Sequence, residues 1–592
     1  MFPKYDPVGG EEICKGKKKT FSHEEKYRFW IRAAAVVFSI QAFIFLVMVT
    51  GAFIIFYPKE EAVRKTDFSL VLLRLGFPHS DSGTQNEGGF ASGVRPRRKW
   101  HWHWMDRVRR DPLAERQRAT GVEFRFANYF QDNMVLQRGE PGPEIWGFGE
   151  AKQNVSLTFK GQQLDTSVDG NGIWRIRLPI TEAGGPYVIH ASSVVAKSPV
   201  DIKIRSVLFG DVWLCSGQSN MEFFVERMFN ASQELEAAST YRMIRFTEIL
   251  QSESPQPVLE PLIRQVWSSP DAVTLKEFSA VCWAFGRRLQ EKLHIPIGLI
   301  GSYYGGTPIR AWSDPGVISH CNKSTKPFKS RSNTADSGLW NAMIAPLLLL
   351  EINGAIWYQG EADASGDYNG YLCMFPTMIE SWRRQFRRPT MPFGFVQLAD
   401  KDGEDVGTPV VRWHQTADVG VVPNAVLQNV FMAVAMDLSD PESPYNAIHP
   451  RYKEEVAERL FLGALTVAYN LSTPFQGPSP VALSYSKSSV LITFKDGPIS
   501  LRTNLSSAFE VCCGDSDEMS NWTDCKAWEA VTALGNTETS LTLDVASCGQ
   551  KVVQFVRHAW KTTPCAYLQC AVYGADTALP AGPFVLPVQG AH

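Results

Sequence analysis

A chain of 592 residues with 59 Lys and Arg against 61 Asp and Glu carries a net charge of −2, a balance that gives no indication of a nucleic-acid partner. Its length exceeds what one hydrophobic core supports, so several domains are expected, and 44% hydrophobic residues are ample to pack them. The sequence holds no P-loop, no dinucleotide-binding glycine fingerprint, no Cys-x-x-Cys and no His-Glu-x-x-His, so nucleotide, NAD and zinc-protease chemistry have no anchor in it.

In chain order, residues 1–32 are rich in Lys and Arg and read as a cytoplasmic tail. Residues 33–57 contain no charge and are long enough to cross a bilayer. The positive excess precedes them, which predicts a single-pass type II anchor in the lipid bilayer with the remainder lumenal or extracellular. Residues 58–121 read as a linker or stem. They include the basic run Arg95-Pro96-Arg97-Arg98, a candidate processing site, and the alternation Trp100-His101-Trp102-His103-Trp104, a weak metal-binding pattern.

Residues 122–203 alternate in the manner of strands, as in Val155–Lys160 and Trp174–Leu178, and predict a β module. From 204 to 472 apolar runs alternate with amphipathic helices predicted at 278–293, 368–386 and 452–469, the pattern of a parallel sheet covered on both faces. From 473 to 592 short β runs return with six cysteines: Cys512, Cys513, Cys525, Cys548, Cys565 and Cys570. No metal-ligand spacing accounts for them, so disulfides and an oxidising compartment are expected. Asn154, Asn230, Asn322, Asn470, Asn504 and Asn521 each open an Asn-x-Ser/Thr triplet and are candidate glycosylation sites. Cys215, inside a predicted buried strand, reads as a small packed hydrophobe.

Three predicted strands each run into a glycine turn. Val207–Cys215 leads to Gly217-Gln218-Ser219-Asn220-Met221, with a helix predicted from Asn220 onward. Ile295–Leu299 leads to Gly305-Gly306-Thr307-Pro308-Ile309-Arg310-Ala311-Trp312. Ala355-Ile356 leads to Trp357-Tyr358-Gln359-Gly360-Glu361, and His449-Pro450 follows late in the chain. Polar residues at the C-terminal ends of parallel strands stand where open α/β sheets form their ligand crevices. Together these motifs resemble the SGNH hydrolases, and among them the sialate O-acetylesterases, from about Val122 to the C-terminus. The N-terminal extension to about Gly121 departs from that family. The expected fold is therefore α/β: an SGNH-type parallel sheet with helices on both faces, flanked by N- and C-terminal β-sandwich-like modules.

The resemblance implies a serine esterase that removes O-acetyl groups from sialic acids through an acyl-enzyme and uses no metal or cofactor. Ser219 is then the nucleophile and His449 the base. The oxyanion donors are the backbone N–H of Ser219, an N–H at Gly305 or Gly306, and the side-chain amide of Gln359. SGNH enzymes usually place an Asp two or three residues before the His, where this chain has Asn446 and Ala447. Asp437, Asp440 or a main-chain carbonyl remain as candidates to orient His449. Arg310 is a candidate for a substrate carboxylate, Trp413 for stacking on a sugar, and Glu361 for a hydrogen bond beneath the site. The alternatives are an acetylesterase for other acetylated carbohydrates and a catalytically silent glycan-binding protein. If the extension is removed or foreign to the native protein, the product is lysosomal or secreted.

Overall fold

One long strand, β1 (Ser198–Gly217), joins two kinds of structure. Its first half alternates between exposed and covered positions and pairs antiparallel with Gly184–Val195. From Val207 to Gly217 every position is buried, as expected of a strand sandwiched between helical layers. The domain boundary expected near residue 203 therefore falls inside a continuous strand. The computed structural model describes residues 123–588, except 323–333, 402, 487, 503–504, 506–507, 516–518 and 520. The apolar stretch 33–57, the basic run at 95–98, the Trp/His alternation and Asn504 lie outside the described residues.

The buried half of β1 is central in a sheet with β2 (Ile244–Ile249), β3 (Ile263–Ser268), β4 (Ile297–Tyr303), β5 (Gly354–Tyr358), β6 (Phe393–Gln397) and β7 (Val430–Val434). The spatial order is β3-β2-β4-β1-β5-β6-β7. All neighbours are parallel except the edge strand β3, which runs antiparallel to β2. β4 extends past its predicted end at Leu299, because Ile300–Tyr303 pair in register with Leu214–Gly217.

Helices cover both faces. On one, Trp213 of β1 packs against Phe285 of α2 (Ala280–Leu293), and α5 (Lys453–Val467) lies beside that helix. On the other, Trp357 of β5 packs edge-on against Trp312 and against Trp382 of α3 (Tyr371–Gln385). A disulfide between Cys215 and Cys282 ties β1 to α2, which corrects the reading of Cys215 as merely a small packed hydrophobe. Two residues that far apart in sequence meet because α2 returns over the face that Cys215 shares with Trp213. A second bridge, Cys321–Cys373, joins Pro315–Cys321 to α3.

The helix predicted after Ser219 is only one turn, α1 (Ser219–Glu222). Phe223 leaves the helical region at ψ 120°, and Val225 N–H bonds to Phe278 O at 3.0 Å. Burial of Phe223 and Val225 overrides the local helical pattern here. A 3-10 turn, Val225–Arg227, follows.

The N-terminal β region adds a three-stranded sheet of Arg125–Phe126, Glu144–Phe148 and Ile173–Arg177. The C-terminal region holds two four-stranded antiparallel sheets and a two-stranded one. Strand Ser489–Lys495 alternates buried and accessible positions around this second core. The six C-terminal cysteines form the bridges Cys512–Cys525, Cys513–Cys548 and Cys565–Cys570. Among the described residues, no helix is long and apolar enough to cross a membrane.

Candidate active site

The C-terminal ends of β1, β4 and β5 converge. Gly217, at φ +140°, packs so closely on the backbone of Tyr358 that a Cβ there would overlap the Tyr358 carbonyl; only glycine fits. This brings Ser219 out of the strand end into the crevice. Ser219 Oγ lies 2.8 Å from His449 Nε2, and His449 Nδ1 lies 2.8 Å from the main-chain carbonyl of Tyr445. A carbonyl only accepts, so Nδ1 carries the proton and Nε2 offers its lone pair to the serine hydroxyl. Burial lowers the His449 pKa below its ordinary value; the charges of Lys453 and Arg227 lower it further, and the Tyr445 carbonyl partly offsets them. The imidazole is thus neutral at neutral pH, the state a general base requires.

The orienting group is therefore a carbonyl, one of the arrangements left open by the sequence, and neither candidate aspartate reaches the imidazole. Asp437 is fully buried and accepts two hydrogen bonds from Arg459, at 2.5 and 2.9 Å, and one from Tyr573 at 3.1 Å. Asp440 is held by Arg451 through Nε and Nη2, both at 2.8 Å, and through its backbone N–H at 3.0 Å. That second pair closes the loop that carries His449, and Ser443 Oγ donates to His449 O at 2.7 Å within it.

The expected oxyanion donors divide. Gly305 N–H donates to Glu222 Oε2 at 2.9 Å, so this amide is occupied. A Cβ on Gly305 would press on that carboxylate and on Ser219 Cβ. The N–H groups of Ser219 and Gly306 have no acceptor among the described residues. Gln359 is fully buried. Its amide donates to Thr307 O at 3.1 Å and to Asp363 Oδ2, and its Oε1 accepts from Tyr371 at 3.2 Å. It is a saturated buried amide that braces the turns after β4 and β5, in place of the expected donor aimed at substrate.

Beneath the serine lies a polar cluster whose hub, Asn220, the sequence reading did not single out. Asn220 Nδ2 donates to Glu361 Oε1 at 2.5 Å and to Ile448 O at 2.8 Å, and its Oδ1 accepts from Lys453 Nζ at 2.7 Å. All three side chains are buried. Burial pushes the Glu361 carboxyl up and the Lys453 ammonium down to about 7. One amide thus links the turn after β1, the turn after β5, α5 and the residue preceding His449. Its position beside Ser219 in Gly-Gln-Ser-Asn-Met was the available signal; of its partners, Glu361 stands where a hydrogen bond beneath the site was expected, while Lys453 and the Ile448 carbonyl gave no signal.

Two substrate-binding expectations are corrected. Arg310 is paired with Asp336, at 3.0 and 2.5 Å, and donates to Asn322 Oδ1 at 2.8 Å. Its Nε/Nη2 edge is therefore already filled by a protein carboxylate, which neutralises the charge a ligand carboxylate would need. Trp413, on α4 (Gly407–His414), is buried in the C-terminal core with its ring 6.2 Å from Trp560; it packs and cannot present a face to a sugar. Asn154, Asn230, Asn322, Asn470 and Asn521 are exposed, as glycan attachment requires. Among the described residues, no group of three or more His, Cys, Asp or Glu is placed to hold a metal ion.

The sequence matches two family descriptions: "Carbohydrate esterase, sialic acid-specific acetylesterase" over residues 209–453 and "Sialate O-acetylesterase C-terminal domain" over residues 479–588. It is 40% identical to the sialate O-acetylesterase of Homo sapiens over 499 residues, covering 79% of this chain and 93% of that one. It is 39% identical to that of Mus musculus over 532 residues, covering 80% and 96%. Among solved structures, a carbohydrate acetylesterase from Xanthomonas citri superposes with a TM-score of 0.66 at 28% identity, covering 78% of this chain and 99% of that one.

Proposed function

This chain belongs to the sialate O-acetylesterase family, and we propose that Ser219 and His449 act as its catalytic pair in hydrolysing O-acetyl esters of sialic acids. The single observation that carries the reading is the file Ser219 Oγ, His449 imidazole, Tyr445 carbonyl, with both contacts at 2.8 Å. As Ser219 Oγ attacks the acetyl carbonyl, its proton passes to His449 Nε2. The resulting imidazolium is stabilised by the Tyr445 carbonyl, which takes the place of the usual carboxylate. The tetrahedral oxyanion is met by the N–H groups of Ser219 and Gly306, and removal of one such donor costs about 3 kcal/mol of barrier. As the intermediate collapses, His449 gives this proton to the leaving sugar oxygen, which departs as a hydroxyl. In the second half it deprotonates water, which attacks the acyl-serine and releases acetate.

The five disulfides among the described residues and the exposed glycosylation triplets support an oxidising compartment. The uncharged apolar residues 33–57 support a type II anchor that holds the enzyme at a bilayer with its crevice lumenal or extracellular.

The test is acetate release by the full chain from an O-acetylated sialic acid and from a generic acetyl ester. The reading predicts activity on both in wild type, with loss on both in Ser219→Ala and His449→Ala. Activity on the generic ester alone overturns the sialic acid assignment and leaves the acetylesterase of other carbohydrates. Activity undiminished in Ser219→Ala overturns the mechanism.

A further inference from the structure

A sialic acid is a carboxylate at neutral pH, and the strongest way to distinguish it from neutral sugars is a cation with free donors at the crevice. With Arg310 bound to Asp336, the other cations around the strand ends can be taken in turn. Arg451 is held by Asp440, Arg264 by Glu248 and Glu277, and Lys401 by Asp405. Arg412 is buried and donates to the carbonyls of Leu398, Ala399, Lys561 and Thr562. Lys453 lies fully buried beneath the serine on Asn220.

Arg227 differs from all of these. It closes the 3-10 turn that follows α1. Its guanidinium makes no hydrogen bond or ion pair among the described residues, and the side chain is only half-buried. Two rings hold it in place: its Cζ lies 4.4 Å from the centroid of Phe224 and 5.4 Å from that of Tyr445. Tyr445 is the residue whose carbonyl orients His449, so this cation is fixed to the catalytic loop itself. The neighbouring Phe229 N–H donates to Arg451 O at 3.2 Å, which pins the turn to the same loop. Stacking on ring faces leaves the N–H edges of a guanidinium open to a planar acceptor.

We propose that Arg227 receives the substrate's carboxylate and is a specificity-determining residue of this site. The assignment rests on the reading that the substrate is an acetylated sialic acid. The aromatic seat stiffens the fork, so less rotamer freedom is lost when the carboxylate docks.

The test compares acetate release from an O-acetylated sialic acid with release from its C1 carboxamide, which keeps the shape and removes the charge. Wild type is expected to prefer the acid by about 10- to 100-fold in kcat/KM, chiefly through KM, the effect of a charge-assisted hydrogen-bond pair. Arg227→Gln is expected to bring that ratio close to one, and Arg227→Lys to restore part of it. Equal rates on acid and amide in wild type, or a ratio unchanged in Arg227→Gln, overturn the proposal while leaving the sialic acid reading intact. Hydrolysis of a generic acetyl ester with neither sialic acid derivative cleaved overturns that reading, and this proposal with it.

Discussion

Ser219 and His449 reach the same point by different means. Ser219 is delivered by regular structure: a strand buried at every position from Val207, a Gly217 that no other residue can replace, and a single helical turn. His449 lies well beyond the end of β7 on a loop without strand or helix. That loop is fixed by polar ties: Ser443 to the His449 carbonyl, Asp440 to Arg451, and Asn220 to the Ile448 carbonyl. The serine arm is held by packing that also holds the fold, whereas the histidine arm is held by hydrogen bonds that the fold could survive losing. Damage to the first arm should therefore appear as instability, and damage to the second as lost catalysis in a folded protein.

The largest expected effect removes the nucleophile without touching either scaffold. Ser219→Ala should lower kcat/KM by about 10⁴- to 10⁶-fold with an unchanged melting temperature. A drop smaller than 100-fold in a steady-state assay would mean another nucleophile. Asn220→Leu attacks both arms, because it leaves Glu361 and Lys453 unpartnered in the interior. It should reduce stability by about 2–3 kcal/mol in denaturant unfolding and lower kcat through the freed Ile448–His449 segment. Wild-type kcat with reduced stability would confine Asn220 to the scaffold.

The two aspartates sharpen the contrast. Asp437→Asn breaks a fully buried pair with Arg459 and should cost about 3–5 kcal/mol of stability, with kcat per folded molecule near wild type. Asp440→Asn loosens the His449 loop and should lower kcat by about 10-fold, the milder end of general-base impairment, with little change in melting temperature. The reverse pattern would break the comparison.

The pH dependence follows from the His449 environment. Burial holds its pKa below the ordinary value of 6.5, and only the neutral imidazole accepts the serine proton. kcat/KM should therefore stay level as pH falls to 6.5 and decline only below it; a decline already complete above that value contradicts the buried neutral base. A smaller effect belongs to the C-terminal core, where burial lowers the His558 pKa to about 4. Between that value and the unfolded value near 6.5 the unfolded chain binds more protons, so stability drops as pH falls through this window, by at most about 3 kcal/mol. His558→Phe should flatten that part of a stability–pH curve.

The serine arm was legible in the sequence because its signals are local: an apolar run, a glycine, a small polar residue. The α/β alternation and the three helices α2, α3 and α5 were legible for the same reason, their periodicity being carried by adjacent residues. The histidine arm was legible only as His449 itself. A main-chain carbonyl has no residue identity, so nothing in the sequence points to Tyr445 over Asp437 or Asp440. Gln359 and Gly305 have the composition of oxyanion donors, and their occupation by Asp363 and Glu222 depends on strand ends that meet only in the folded sheet. Arg310 and Arg227 look alike in sequence; an aspartate near the first and two rings beneath the second separate them.

The most direct test of the paired Ser219–His449 arrangement is covalent labelling with a fluorophosphonate, with the adduct located by mass spectrometry in wild type and His449→Ala. The account predicts a single adduct on Ser219 in wild type, formed at least about 100-fold more slowly in His449→Ala, the scale of general-base activation. An adduct on a different residue, or equal labelling rates in the two proteins, would contradict it.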